Sequence, residues 1–235
     1  MKIEIWSDFV CPFCYIGKRR LEQAVNALPE HAEVEWEYKS FELDPDAETQ
    51  TKPNMHEKLA KKYNKTLEQA KEMTSHMEEE AKQSGLTFRF DQVIPANTFD
   101  AHRVAKFAEE QGKNDEVTEK FMQAVLTDGK NIGDAETIYE LAVEAGLDSD
   151  AVAQVLRSED YTEAVRNEER EAYQLGVQGV PFFVINRKYA ISGAQPKETF
   201  DQALEQVWQE ENSTPSFTSL NGATGSTCTE EGCDE

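Results

Sequence analysis

Apolar and polar positions alternate and recur along the chain in two different periods, and the change of period marks its organisation. Lys2 to Asp8 reads as a short first strand. Leu21, Ala24, Val25 and Leu28 then fall on one helical face, with Pro29 as its stop. Val34, Trp36 and Tyr38 alternate with Glu35, Glu37 and Lys39, the period of a half-buried strand. A long helical stripe follows through Leu59, Tyr63, Leu67, Ala70, Met73 and Met77, with a possible capping box at Thr66 and Gln69. Further helical faces are Ala101, Val104, Ala105 and Ala108, then Val117, Phe121, Ala124 and Val125. Ile138, Leu141, Ala142 and Ala145 form another, between Asp134 and Gly146. Val152, Val155 and Leu156 make a shorter one, and Tyr161, Val165, Ala172 and Leu175 the last, closed by Gly176.

The strand period then returns. Val180 to Ile185 is an apolar run, Asn186-Arg187-Lys188 a turn, and Tyr189-Ala190-Ile191 a second short strand, which together predict a hairpin. Phe200, Ala203, Leu204 and Val207 give a closing amphipathic helix. From Asn212 to Gly225 the chain is rich in Ser, Thr, Gly and Asn and reads as a linker or tail. Without the five or six central helices the order is β-α-β followed by β-β-α. This predicts an α/β protein of thioredoxin-like fold, with a large all-helical insertion between its two halves. The divisions are 1–50 and 176–210 for the two halves, 51–175 for the insertion and 211–235 for the tail.

Charge narrows the partners. Lys and Arg number 24 against 46 Asp and Glu, a formal net charge of −22. Nucleic acid and anionic membranes would repel such a chain. No apolar run approaches the ~20 residues of a membrane span. Acidic residues interrupt the N-terminus at once, so it does not read as an export signal. The expected compartment is therefore the cytoplasm.

The chemistry lies in the cysteines. Cys11 and Cys14 form one close pair, Cys228 and Cys233 another. Structural disulfides are not expected in a reducing cytosol, so close pairs point to redox or metal chemistry. Cys11 falls on a strand–helix junction. Unpaired backbone N–H groups and the helix dipole stabilise a thiolate there, and the first thiol of such motifs is acidified. Cys14 sits one turn further on, placed to attack a mixed disulfide on Cys11. Pro12 suits the first helical turn, where its missing N–H costs nothing. The hairpin brings Pro181 back towards Cys11, and X–Pro bonds tolerate the cis form. A four-cysteine zinc site would require the tail to fold back.

The chain resembles the DsbA family, and within it the FrnE-like cytoplasmic subfamily. Four blocks carry the resemblance: Ser7 to Gly17 (SDFVCPFCYIG), Asn97 to Arg103 (NTFDAHR), Gly176 to Phe183 (GVQGVPFF) and Ser192 to Gln195 (SGAQ). It implies a thioredoxin domain with the inserted helical domain over its active-site face, and oxidoreductase or disulfide-isomerase activity with Cys11 as nucleophile, Cys14 as resolving thiol and Pro181 as cis-proline. It places Val180, Pro12, Phe13 and His102 at the substrate. It also suggests Cys228 and Cys233 as a secondary redox pair exchanging electrons with Cys11 and Cys14. The expected partners are disulfide-containing proteins or small molecules and a thiol reductant. No cofactor or metal is implied, with glutathione or another low-molecular-weight thiol as a possible co-substrate, and a monomer or homodimer as the assembly.

Two residues depart from the family pattern. Phe13 stands where many relatives have Trp, and Ile5 occupies the position of a buried carboxylate. Asp8 has no assigned role. His31, His56 and His76 are expected at the surface. Two alternatives share the pattern. One is a glutathione-dependent 2-hydroxychromene-2-carboxylate isomerase or kappa-class glutathione transferase, families that generally carry serine where Cys11 stands. The other is a zinc or redox sensor using all four cysteines.

Overall fold

The computed structural model describes residues 1–30, 32–49 and 54–212, together with two short tail strands. A central sheet joins β1 (Lys2–Ser7), β2 (Glu35–Ser40), β3 (Phe182–Ile185) and β4 (Tyr189–Ser192) in the order β2-β1-β3-β4. β1 runs parallel to β2 and antiparallel to β3, with Ile3 opposite Trp36 and Ile185. The parallel pair needs a crossover, which α1 (Pro12–Val25) supplies. The hairpin β3–β4 turns through Asn186 and Arg187, both at positive φ, and Lys188 N–H donates to Ile185 O. Arg187 is held in that conformation by ion pairs to Glu4 and Glu171.

The period of two along β1 separates its faces. Ile3 and Ile5 pack with Leu21 and Ala24 of α1, Phe183 and Ile185 of β3, and Phe200, Leu204 and Val207 of the closing helix α9 (Lys197–Asn212). Trp6 belongs to the other face, with Val184, Val177 and Ala172.

Among the described residues, seven helices lie between β2 and β3. They are α2 (Met55–Lys62), α3 (Leu67–Gln83), α4 (Phe99–Glu110), α5 (Asn114–Leu126), α6 (Ala135–Glu144), α7 (Ser149–Arg157) and α8 (Thr162–Gln174). The long stripe from Leu59 to Met77 is therefore two helices rather than one. Asn64 at positive φ breaks it, and the Thr66–Gln69 capping box starts α3 afresh. Asp134 and Asp148 cap α6 and α7 through their carboxylates.

Buried polar contacts tie the helices to the sheet. Glu168 of α8 accepts from Ser40 N–H of β2 at 2.7 Å and from Lys106 Nζ of α4 at 2.6 Å. Its backbone carbonyl accepts from Trp6 Nε1 at 3.1 Å. Arg103, 4 % exposed, donates to the carbonyls of Val155, Ser158 and Asp160 and so satisfies the end of α7.

In the tail, β5 (Cys228–Thr229) pairs antiparallel with β6 (Gly232–Cys233), with Cys228 opposite Cys233 in backbone register. The side chains of both cysteines, and His31, lie outside the described residues.

Candidate active site

Strand β1 ends at Ser7, and a short turn, with Cys11 N–H donating to Asp8 O, delivers Cys11 as the N-cap of α1. Pro12 opens the helix, as its fixed φ favours. The free N–H groups of the first turn and the helix dipole thus act at the Cys11 sulfur. The Val180–Pro181 bond is cis. It brings the Val180 carbonyl to 3.6 Å from Cys11 Sγ, which donates to it. Pro181 O in turn accepts from Gly193 N–H, which anchors the loop to the end of the hairpin.

Close approach of α1 to this loop depends on Gly17. A Cβ there would stand 3.0 Å from Phe183 Cζ and 3.1 Å from Pro181 Cγ. Cys11 and Cys14 are both 3 % exposed. Burial pushes the Cys14 thiol well up, and its hydrogen bond and charge coupling to Cys11 add to this. Ser7 Oγ and the Asp8 backbone act in the opposite sense, favouring a Cys14 thiolate.

Cys11 opens on a cleft of about 250 Å³ between the thioredoxin half and the helical insertion. Pro12, Phe13 and Val180 line it, together with Met55 and Leu59 of α2 and Met77 of α3. The segment 86–98 closes the far wall with Phe90, Pro95 and Ala96. The wall is mainly apolar, and Lys62 and the Asp44–Lys58 ion pair (2.7 Å) stand along it. Such a surface suits a hydrophobic chain segment around a disulfide, and methionines adapt to varied shapes.

Pattern reasoning did not anticipate the contributions of α2, α3 and 86–98. The methionines at helical spacing were a usable clue, because unbranched thioethers are frequent on adaptable binding walls.

Two histidine expectations are corrected. His102 is not on the cleft. It is 3 % exposed on α4, and its ring packs on Phe9 with centroids 4.6 Å apart, behind the CxxC turn. The helical face that carries Ala101 and Ala105 into the core carries His102 in with them. His56 is also buried rather than superficial, its Nε2 lying 3.0 Å from Thr74 Oγ1 across the α2–α3 contact. His76 is exposed.

Among the described residues one carboxylate cluster has metal-like spacing: Glu37, Glu109 and Glu168. Lys2, Lys39 and Lys106 pair with its members and neutralise it, so the arrangement is an ion network between β1, β2, α4 and α8.

The DSBA-like thioredoxin domain model matches residues 2–205. The chain belongs to that family. It is 32% identical over 204 residues to the YwbO protein of Bacillus subtilis (strain 168), covering 86% of this chain and 94% of the other. It is 40% identical to a probable DsbA oxidoreductase of Streptomyces coelicolor, whose crystal structure superimposes with a TM-score of 0.85 over 100% of this chain and 99% of that one. A cytosolic disulfide reductase, DsbM of Pseudomonas aeruginosa, solved with GSH, matches at a TM-score of 0.63. It covers 89% of this chain and 100% of its own; at 16% identity that likeness concerns the fold. Membership carries disulfide oxidoreductase chemistry in general terms. Among the described residues, no helix is long and apolar enough to cross a membrane.

Proposed function

We propose that this protein exchanges disulfides with protein or small-molecule substrates through Cys11 and Cys14. One observation carries the reading: Cys11 Sγ stands at a helix N-cap, 3.6 Å from the carbonyl before a cis-proline, at the mouth of an apolar cleft. The Cys11 thiolate attacks a substrate disulfide, forms a mixed disulfide and expels one substrate thiolate. Cys14 then attacks Cys11 Sγ. The Cys11–Cys14 bond forms, the second substrate thiolate leaves, and the substrate has gained two electrons. Run backwards, the same steps oxidise a substrate dithiol. If a thiolate of the substrate itself attacks the mixed disulfide before Cys14 does, a different substrate disulfide forms, Cys11 leaves as thiolate, and the net result is isomerisation. Val180, Pro12 and Phe13 hold the substrate beside the sulfur.

A low-molecular-weight thiol such as glutathione is the co-substrate in this reading, and the site of action is the cytoplasm. The DsbM likeness supports both. Cys228 and Cys233 pass electrons to or from the first pair; their cross-strand backbone register suits a reversible disulfide. The catalytic unit in this reading is a monomer or homodimer.

The test is a titration in a glutathione redox buffer with free thiols counted at each step. With the tail pair removed by Cys228→Ser/Cys233→Ser, the expected result is a reversible two-electron transition that disappears when Cys11→Ser is added. A Cys228→Ser/Cys233→Ser variant should keep that transition but turn over more slowly. A transition that survives Cys11→Ser would overturn the assignment, and unchanged turnover in the tail variant would remove the relay.

A further inference from the structure

Cys14 poses a problem of proton removal. Its sulfur is buried, and the carboxylate expected to serve it by family pattern is replaced by Ile5, which is 2 % exposed and part of the apolar face beneath α1. A thiol in such a place needs an internal proton acceptor if it is to attack at neutral pH.

The described residues contain five buried side-chain polar atoms without a hydrogen-bond partner, and three of them belong to Ser7 and Asp8, which act on this thiol, and to His102 beside Asp8. They are Ser7 Oγ, Asp8 Oδ1 and His102 Nε2. Their residues are 5, 1 and 3 % exposed. Orphaned buried polar atoms lose hydration without replacement, so three in one place ask for an explanation. Asp8 Oδ1 and His102 Nε2 are 3.5 Å apart, while Asp8 Oδ2 is engaged by Leu43 N–H at 2.8 Å. Ser7 and His102 both line one small chamber of about 10 Å³, close to the volume of one water.

We infer that Ser7, His102 and Asp8 form the proton relay of Cys14, replacing the carboxylate lost at Ile5. The inference rests on Cys14 acting as the resolving thiol. As Cys14 attacks the mixed disulfide, its proton passes to Ser7 Oγ, whose own proton moves through the chamber to the His102–Asp8 pair. There it lies between Nε2 and Oδ1 and gives both atoms a partner. The Cys11–substrate bond breaks, the Cys11–Cys14 bond forms, and the expelled thiolate leaves through the cleft. In the reverse direction the pair returns the proton to Cys14.

The other charged groups around the relay are paired among themselves. Lys39 of β2 and Lys106 of α4 face the chamber, and both are paired with Glu168 of α8. Lys39 is also paired with Glu37, and Lys106 with Glu109. Glu42, whose carboxyl feels the charge of His102, is held by Arg166. The ring of Phe9 covers His102 from the α5 side, where it meets Phe121 edge-on at 5.3 Å.

The test is rapid mixing of the reduced full chain, in a Cys228→Ser/Cys233→Ser background, with a nitrobenzoate disulfide that releases a coloured thiolate. The first release reports Cys11 and the second reports Cys14. In His102→Asn and in Ser7→Ala the second phase should move its pH profile up by about one unit and slow roughly tenfold near neutrality. The first phase should keep its profile in both. Ser7→Ala deletes one hydroxyl without disturbing packing, so it decides the matter alone should His102→Asn fail to fold. An unchanged second-phase profile in folded Ser7→Ala would overturn the relay. A second release that persists in Cys14→Ser would instead overturn the resolving role of Cys14 itself.

Discussion

Gly17→Ala isolates the contact that sets the distance between the redox helix and the proline loop. Two opposed terms decide its effect. In the interior of α1, alanine is favoured over glycine by about 1 kcal/mol. Against this, the new methyl would meet Phe183 Cζ at 3.0 Å and Pro181 Cγ at 3.1 Å, each a few tenths of an ångström too close. Neither neighbour yields easily. Phe183 is 1 % exposed and meets Phe200 edge-on at 4.9 Å, while Pro181 is fixed through its carbonyl to Gly193. Overpacking of this kind costs about 1–3 kcal/mol. The balance is a net loss of up to about 2 kcal/mol. At about 2–4 °C per kcal/mol for a chain of this size, the melting temperature should fall by several degrees. The more diagnostic effect is local. The cheapest relief moves the Val180–Pro181 loop away from α1 and lengthens the 3.6 Å contact at Cys11 Sγ. Turnover with a disulfide substrate should then drop several-fold more than the small loss of stability accounts for. Thermal unfolding by circular dichroism and a disulfide-reduction assay on the same preparation measure both. A variant that melts higher than wild type with unchanged turnover would refute the argument, because it would show that the gap accepts a methyl.

Three further outcomes follow from the same geometry. Cys14 is pushed up chiefly by burial, so in Cys11→Ser it should resist alkylation by iodoacetamide until the pH exceeds the ordinary thiol range. The same shift means that stability is full below the unfolded thiol value and falls as pH rises above it; a flat stability profile across alkaline pH, with Cys14→Ala as reference, would contradict this. Glu37 is drawn down to about 2, against its partial burial, by Lys2 and Lys39. Its contribution is present above the unfolded carboxylate value and lost as pH falls towards 2. After allowance for solvent screening it is about 1 kcal/mol, so urea midpoints of Glu37→Gln and wild type should differ at pH 6 and converge near pH 2. Arg103→Met strands the Ser158 and Asp160 carbonyls and removes one donor to the Val155 carbonyl, which keeps Ser158; it should cost about 2–5 kcal/mol, read as a lower urea midpoint, and a loss below about 1 kcal/mol would show that solvent takes over those carbonyls.

The sheet and the thiol site were legible because their signals are local. Alternation at Val34–Lys39, the apolar run before Asn186 and the junction at Cys11 each belong to one element whose neighbours are dictated by short connections. The insertion was legible as helices, and the resemblance sets it over the active-site face, but the residues that form the wall were not legible. The Thr66–Gln69 box marked the start of α3, yet the stripe across Asn64 looks continuous, because Leu59, Tyr63 and Leu67 keep their spacing while the backbone does not. Tyr63 and Leu67 are in fact exposed. Leu86, Phe88 and Phe90 alternate like a strand and are all buried, but they pack as irregular chain on the helical core, Phe88 stacking on Tyr15 at 6.0 Å. No sequence period distinguishes that from a strand. His102 was misplaced for a related reason: a motif says that a residue belongs near the site, but not from which side of the CxxC turn it arrives.

That last point bears on what the insertion does. Phe9, Cys11, Cys14, Tyr15 and Ile16 belong to the same apolar cluster as the cores of α4, α5, α6 and α7, and not to the cluster beneath the sheet. The thiols are thus buried by the helical insertion at least as much as by the thioredoxin half. Its removal would expose Cys14, strip Tyr15 of its 2.5 Å bond to Glu119, and leave Lys18 without Asp115 and Glu119. The burial that pushes the Cys14 thiol up, the cleft wall opposite Cys11 and the histidine beside Asp8 all come from inserted residues. The redox turn is therefore completed by the insertion, and a substitution on α4 or α5 that loosens their packing should alter thiol reactivity before it alters the sheet.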